Sequence, residues 1–328
     1  MKKLIKLAAI ALCICLVAGI FAGCGEKKEK VVIFTSAEDF RIEHLRERID
    51  KKFPDYNIVI EYMSTGNHAA KLLSEGKNTE CDITYDLEYP YLQKLESKGL
   101  LADLSEFDRS PFLESVAPSN FYMPDVRNGG AVIIDEAALK DKGLAVPTSY
   151  EDLLKPEYKG LICMPNPKSS GTGFMFLQSL SEARGEEKAL EYFDKLSENV
   201  MEFSSSGSGP INKLIQKEAA IGLGMTSQAV NANKNGSNLK IAFFPEGSPY
   251  SMYGQGVIAG KLERKAVKEV FTYLSGEYTK INNQELFPEQ LYKDGPAKVE
   301  GYPSDINYAE MGTLTPEAKD QLLTKWKH

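Results

Sequence analysis

Side chains that carry out chemistry are scarce in this sequence. Its 328 residues include three histidines and five cysteines, whereas a secreted hydrolase needs a nucleophile held beside a base. No GxSxG stands between a strand and a helix, which excludes a nucleophile elbow. No GxxxxGKS or GxxxxGKT phosphate loop is present, nor HExxH, nor a Cys/His cluster, which excludes P-loop and zinc chemistry. The expectation is a protein that is not an enzyme and carries no cofactor.

The long apolar run, Leu7 to Ile20, follows Lys2, Lys3 and Lys6 and leads to Ala22, Gly23 and Cys24. Residues 1–23 therefore read as an export signal; Gly19, Gly23 and the shortness of the run fit cleavage better than a transmembrane anchor. FAGC resembles a bacterial lipoprotein lipobox, which implies lipidation of Cys24 at the extracytoplasmic face of the bacterial cell membrane. Losing three lysines takes 39 basic residues to 36 against 46 acidic, a net charge near −10. That balance argues against a nucleic-acid partner. Cys13 and Cys15 leave with the signal, and Cys81 and Cys163, on strands in different halves, read as two separate buried thiols. Residues 24–30, with the run GEKKEK, form a charged tether. A chain of about three hundred mature residues is long enough for two domains.

From Val31 the pattern alternates strand and helix. VVIFT precedes a helix with Ile42, Leu45, Ile49 and Phe53 at helical spacing; NIVIEYM precedes a helix beginning near Asn67; CDITYD precedes a helix over Glu88 to Lys98, ended by Gly99. In the middle section GLICM leads through SSGTG to a helix with Phe174, Leu177 and Leu180 on one face, and Lys188 to Glu198 forms another. VMEF leads through SSSGSG to a helix starting at Pro210, and AAIGLGM leads through TSQ to one ending near Gly236. Crossovers of this length predict parallel strands with helices on both faces. The fold class is α/β: two parallel-sheet lobes joined by a two-strand hinge, with the ligand in the cleft between them. Residues 31–125 and 245–328 make lobe 1 and residues 126–244 make lobe 2. The tail after Tyr278 reads as a cover of short helices.

In open α/β sheets ligands sit beyond the carboxyl ends of strands, at helix N-termini. Five hydroxyl- and glycine-rich loops occupy such places: Thr35 and Ser36; Ser64, Thr65 and Gly66; Ser169, Ser170, Gly171, Thr172 and Gly173; the run Ser204 to Gly209 with Ser206, Gly207 and Ser208; and Thr226 with Ser227. Any one loop is explained by helix capping, and Ser36 with Asp39 resembles a capping box. Five together point to a cradle for an anion or a polyhydroxyl solute. Tyr250 and Tyr253 near the second crossing serve either as cleft walls or as hinge packing. Arg127, at the first crossing, is the candidate charge clamp, because a guanidinium pairs bidentately with phosphate or carboxylate. Arg41 reads as solvated surface. Glu38 and Asp39 would repel an anion if they faced the cleft, or else serve the helix dipole.

The lipobox, the STG loop at Ser64 to Gly66, CDITYD, VPTSYEDLLKPEYKGLICMPNPKSSGTG, SSSGSGP and FFPEG together resemble the extracellular solute-binding proteins of ABC importers. Within these, the chain is similar to the cluster of ferric-ion, organophosphate, thiamine and polyamine binders. The resemblance implies a monomer that closes by hinge motion on a small solute and delivers it to a permease and its ATPase. Ferric members typically carry an adjacent tyrosine pair after the strand equivalent to AAIGLGM; here Thr226, Ser227 and Gln228 stand there. His44 falls mid-helix and His328 is terminal, which leaves His68, Tyr250 and Tyr253 as weak ferric candidates, and no metal site is expected. The leading expectation is a phosphorylated or phosphonate-bearing anion. A ferric carrier and a ligand sensor for a membrane receptor are the alternatives. Ser, Thr and Gly amides accept sugar phosphates, aminoalkylphosphonates or carboxylated solutes alike.

Overall fold

The computed structural model describes residues 28–117, 119–312 and 314–328. The export signal and Cys24 lie outside the described residues. The strands are β1 Glu29–Thr35, β2 Tyr56–Tyr62, β3 Ile83–Glu88, β4 Met123–Ile134, β5 Ile162–Pro165, β6 Val200–Ser204, β7 Ile221–Met225, β8 Lys240–Ala242 and β9 Tyr250–Val257. The helices are α1 Asp39–Lys52, α2 Thr65–Glu75, α3 Tyr89–Ser97, α4 Glu136–Asp141, α5 Gly171–Arg184, α6 Glu186–Leu196, α7 Gly209–Ile215, α8 Thr226–Lys234, α9 Lys265–Tyr273, α10 Thr279–Glu285 and α11 Pro316–Lys325. β1 starts two residues inside the segment expected to be tether.

The strand order is β2-β1-β3-β9-β4-β7-β5-β6, with β8 against β4. β1, β2 and β3 are parallel, as are β5, β6 and β7, in keeping with the crossover helices. The expectation of purely parallel sheets needs correction at the hinge, where β4 and β9 run antiparallel to each other and to their neighbours β7 and β3. The chain leaves the first lobe along β4 and returns along β9, so the two crossings must oppose each other. β4 is long enough to serve both lobes: Met123 to Gly129 pair with β9, and Gly130 to Ile134 pair with β7.

The first lobe buries Val31, Ile33, Leu45, Ile49, Ile83, Val257, Val270 and Phe271, and the second buries Ile134, Phe174, Phe176, Leu180, Phe193 and Ile221. α5 departs from a one-faced helix, since every residue from Gly171 to Leu180 is buried. Cys81 and Cys163 are buried and unpaired.

The end of the chain does not return to the first lobe as expected. Ala309, Met311, Leu322 and Trp326 join the second lobe's core, the indole of Trp326 lying 5.3 Å from the Phe193 ring and 5.6 Å from the Phe203 ring. An aromatic of that size has most to gain where a core can cover it. α11 then bridges the lobes. Its Lys319 is 1% exposed, bonds Glu88 at the end of β3, and lies against Tyr91 of the first lobe and Phe174 of the second. Lys94 reaches Asp320 at 2.5 Å beside it. Lys319→Ala strands the buried Glu88 carboxylate, so chemical denaturation at neutral pH should show a loss of about 3–5 kcal/mol, against near-unchanged stability for Lys94→Ala.

Candidate functional site

The cleft between the lobes is closed. The backbone N–H of Gly66, in α2, donates to the carbonyl of Ser169 in the second lobe at 3.0 Å. A Cβ at Gly66 would lie 2.6 Å from the Lys168 carbonyl oxygen, so a side chain there is incompatible with this closure. In this tightly closed form the chamber measures about 20 Å³, room for one water-sized group, so a larger solute is enclosed only with the lobes set slightly further apart. Ser36, Glu38, Tyr62, Ser64, Thr65 and Asp86 line it from the first lobe, Asn128 and Tyr253 from the crossings, and Ser170, Thr172, Gly207, Ser208 and Met225 from the second lobe. No lysine, arginine or histidine is among these residues.

Beneath the first-lobe wall lies Arg41, with no exposed side-chain surface. Its Nη1 donates to Asp86 at 2.6 Å and to Glu38 at 3.3 Å, and its Nη2 donates to Asp125 at 2.7 Å. The pairing registers of β3 and β4 slip at these very places, between Thr84 and Leu87 and between Pro124 and Val126. Such bulges re-aim side chains, here toward one guanidinium. Asp86 also takes a φ of 55°, strain that a non-glycine residue keeps only where its surroundings enforce it. Burial would lower the guanidinium pKa, but Asp86, Tyr85, Asp125 and Glu38 hold it well above its ordinary value. Burial raises Glu38 to about 7, with Arg41 opposing the rise and Asp86 adding to it. Asp125 is raised by the same burial, again against the pull of Arg41. Glu38 and Asp125 thus hold protons more readily than isolated carboxyls.

The loops read from the sequence are distributed unevenly around this chamber. Ser36, Ser64, Thr65, Ser170, Thr172, Gly207, Ser208 and Tyr253 line it. Gly66 and Ser169 make the bond between lobes, and Gly171 lies so close to Tyr253 that a Cβ would strike its hydroxyl. Ser206 is off the wall, its carbonyl accepting from Ser204 Oγ. Thr226 and Ser227 are buried behind Met225, each with a hydroxyl that has no partner. Ser36 is no capping residue: α1 is capped at Glu38 without a side-chain bond, and Ser36 Oγ donates to the Asp86 carbonyl.

Arg127 and Tyr250 fall outside the chamber. Arg127 is bound by Glu289, at 2.9 Å from Nε and 2.8 Å from Nη2, and is stacked against Tyr308 and Tyr250 on the other side of the hinge. It therefore has no free fork for an anion. Arg41, expected on the surface, is the buried arginine instead. His68 does not reach the cleft either; its Nε2 meets Thr84 Oγ1 at 3.0 Å, and burial alone lowers its pKa to about 3. The ferric candidates His68, Tyr250 and Tyr253 are thus not brought together. The residues that sequence reading passed over are Tyr62, Asp86, Asn128 and Met225. A larger hollow on the flank of the second lobe is centred on Arg184, already paired with Glu151 and Glu246.

The sequence profile of the bacterial extracellular solute-binding proteins matches residues 81–307. The chain belongs to this family. The spermidine/putrescine-binding periplasmic protein of Escherichia coli is similar to this solute-binding protein, with 25% identity over 85% of this chain and 78% of that one. The phosphoglycerate transport regulatory protein PgtC of Salmonella typhimurium shares 26% identity over 55% of this chain and 46% of its own length. Among solved structures, the periplasmic binding protein AfuA from Actinobacillus pleuropneumoniae, with exogenous fructose-6-phosphate bound, superposes with a TM-score of 0.76. It is 20% identical, and the match covers 92% of this chain and 98% of AfuA. Among the described residues no helix is long and apolar enough to cross a membrane.

The charge state of this solute-binding protein's first-lobe wall has a measurable consequence. A carboxyl whose native pKa lies above its unfolded value favours the fold fully below about 4.5, and that contribution is lost as pH rises through about 7. Glu38→Gln removes the buried charge, so the gain in melting temperature should be larger at pH 8 than at pH 5.5, by about 2 °C or more. Asp125 and His68 titrate in both proteins and largely cancel from the difference. A gain independent of pH would show that Glu38 is ionised throughout.

Proposed function

We propose that this solute-binding protein captures a small phosphorylated or phosphonate-bearing solute by lobe closure and hands it to a membrane permease and its ATPase. The observation that carries the reading is the convergence of two helix N-termini on one closed chamber. α2 begins at Thr65 behind Ser64, and α5 begins at Gly171 behind Ser170. Such ends present backbone N–H groups and a positive dipole to an anion. Hydroxyls of Ser36, Ser64, Thr65, Ser170, Thr172 and Ser208 surround them, and Ser64 Oγ is buried with no partner. With no basic side chain on the wall, an anion would be held by amides and hydroxyls, in a setting where such bonds are strengthened by exclusion of water. The names of PgtC and of the fructose-6-phosphate-bound AfuA support phosphate as the recognised group.

The proposal extends to anchoring through the lipid of Cys24 at the outer face of the membrane. Cys24→Ser should move the protein from the membrane fraction to the soluble fraction.

The ligand is to be read by native mass spectrometry of protein purified without refolding, followed by calorimetric titration with small phosphate esters and phosphonates. The expected mass difference is that of a phosphorus-containing solute. Thr172→Val should weaken its binding about tenfold or more, the loss of one hydrogen bond to a charged group. Tight binding of ferric or divalent ions with no phosphorylated ligand would overturn the proposal.

A further inference from the structure

The two walls of the chamber differ in chemistry. The second-lobe wall offers the N-terminus of α5 and hydroxyls. The first-lobe wall adds the carboxylates of Glu38 and Asp86, and the crossing strand adds Asn128. Asn128 is 3% exposed, and its Oδ1 is buried with no hydrogen-bond partner. Asp86 gives one oxygen to Arg41, and Glu38 meets that arginine at a longer 3.3 Å.

We infer that the ligand carries a primary ammonium, seated against Glu38, Asp86 and Asn128, opposite its phosphate or phosphonate end. The inference rests on the phosphate reading for that opposite end only. Charge decides between an ammonium and a hydroxyl. Arg41 is one cation for Glu38, Asp86 and Asp125, and the chamber wall supplies no other. Beside a hydroxyl, buried Glu38 keeps its proton and gains only a neutral hydrogen bond, so no charge pair forms. An ammonium supplies three donors and the missing charge. Tyr62 and Tyr253 line the same chamber and add aromatic faces beside a cation. The strained backbone of Asp86, φ 55°, is the kind of outlier that ligand clamps retain. A solute with both ends meets the helix N-termini of α2 and α5 with its anion and the carboxylates with its ammonium.

The test is calorimetric titration of the purified protein at pH 7 with 2-aminoethylphosphonate, 2-hydroxyethylphosphonate, ethylphosphonate and ethylamine. The amino compound should bind about 100-fold more tightly than its hydroxyl isostere, the scale of one buried charge pair. Glu38→Gln should weaken the amino compound at least about tenfold more than it weakens the hydroxyl compound. Repeating the titration in buffers of different ionisation enthalpy should show more proton release on binding the amino compound with the unaltered protein than with Glu38→Gln, because the ammonium favours the ionised form of Glu38. Equal affinity for the amino and hydroxyl compounds overturns the ammonium while the phosphate reading stands. Ethylamine binding as tightly as 2-aminoethylphosphonate overturns the phosphate reading and keeps the ammonium. Failure of both amines to bind overturns the inference.

Discussion

The cleft depends on one buried guanidinium. Arg41 fastens the start of α1, the bulge at Asp86 and the bulge at Asp125, three segments that share no local sequence neighbourhood, and its flat face lies 4.8 Å from the centroid of the Phe287 ring. Burial of so many charges is tolerable only because the geometry is close and the fork of donors is largely used. With this pin in place, β3 cannot end as a regular strand. Asp86 must turn its carboxyl inward and accept a left-handed φ, and the chain that follows is delivered to Glu88 and α3. The first-lobe wall of the chamber is thus a by-product of satisfying an arginine underneath it.

The closed form also has bonds of its own. The Gly66 to Ser169 backbone bond and the Lys319 to Glu88 pair both cross between lobes. α11 matters here because it is rooted in the second lobe through Leu322 and Trp326 while its lysine reaches the first. Under the proposed function, closure is an equilibrium in which protein contacts supply part of the free energy and a ligand supplies the remainder through its preference for the closed state. The glycines at the contact points serve that equilibrium. At Gly66 and Gly171 a Cβ would collide with the opposing Lys168 carbonyl or with the Tyr253 hydroxyl.

Much of the architecture is legible in the chain because periodicity is local. Strand, loop and helix alternate visibly from Val31 to Phe244, and Gly99 ends α3 with a positive φ of 63°. Arg41 shows where local reading fails and what would have mended it. Arg41, Leu45 and Ile49 are all buried on α1 at four-residue spacing, so the arginine sits in line with the core stripe; a polar residue on that stripe requires buried partners. Glu38 stands three residues before Arg41, but the two closer partners lie 45 and 84 residues on, and no short-range pattern announces them. Arg127 failed in the opposite direction. Its place at the crossing was read correctly, but Glu289 comes from the distant tail and neutralises it. The destination of that tail was hidden for the same reason, since Trp326 finds its core only in three dimensions.

Helix capping, the plain explanation for a Ser- or Thr-rich loop, accounts for little of what these loops do. Of the loops around the cleft, only Ser170 accepts a capping bond, from Gly173 N at 3.5 Å, a length at which the bond is weak. Ser64 and Ser208 stand at N-cap positions without a side-chain cap bond, and Ser208 instead receives Gln228 Nε2 at 3.1 Å. Ser64 Oγ, Thr226 Oγ1, Ser227 Oγ and Asn128 Oδ1 are buried with no partner. Each unsatisfied group of this kind costs about 1–3 kcal/mol, so several around one cleft are a standing cost to the fold. At Ser64 the local folding role was open, since it stands at the N-cap of α2, and its side chain does not take it. A solute that bonds to the groups reaching the chamber, Ser64 and Asn128, would recover their share on closure, whereas Thr226 and Ser227, behind Met225, mark how far the polar lining extends beyond it.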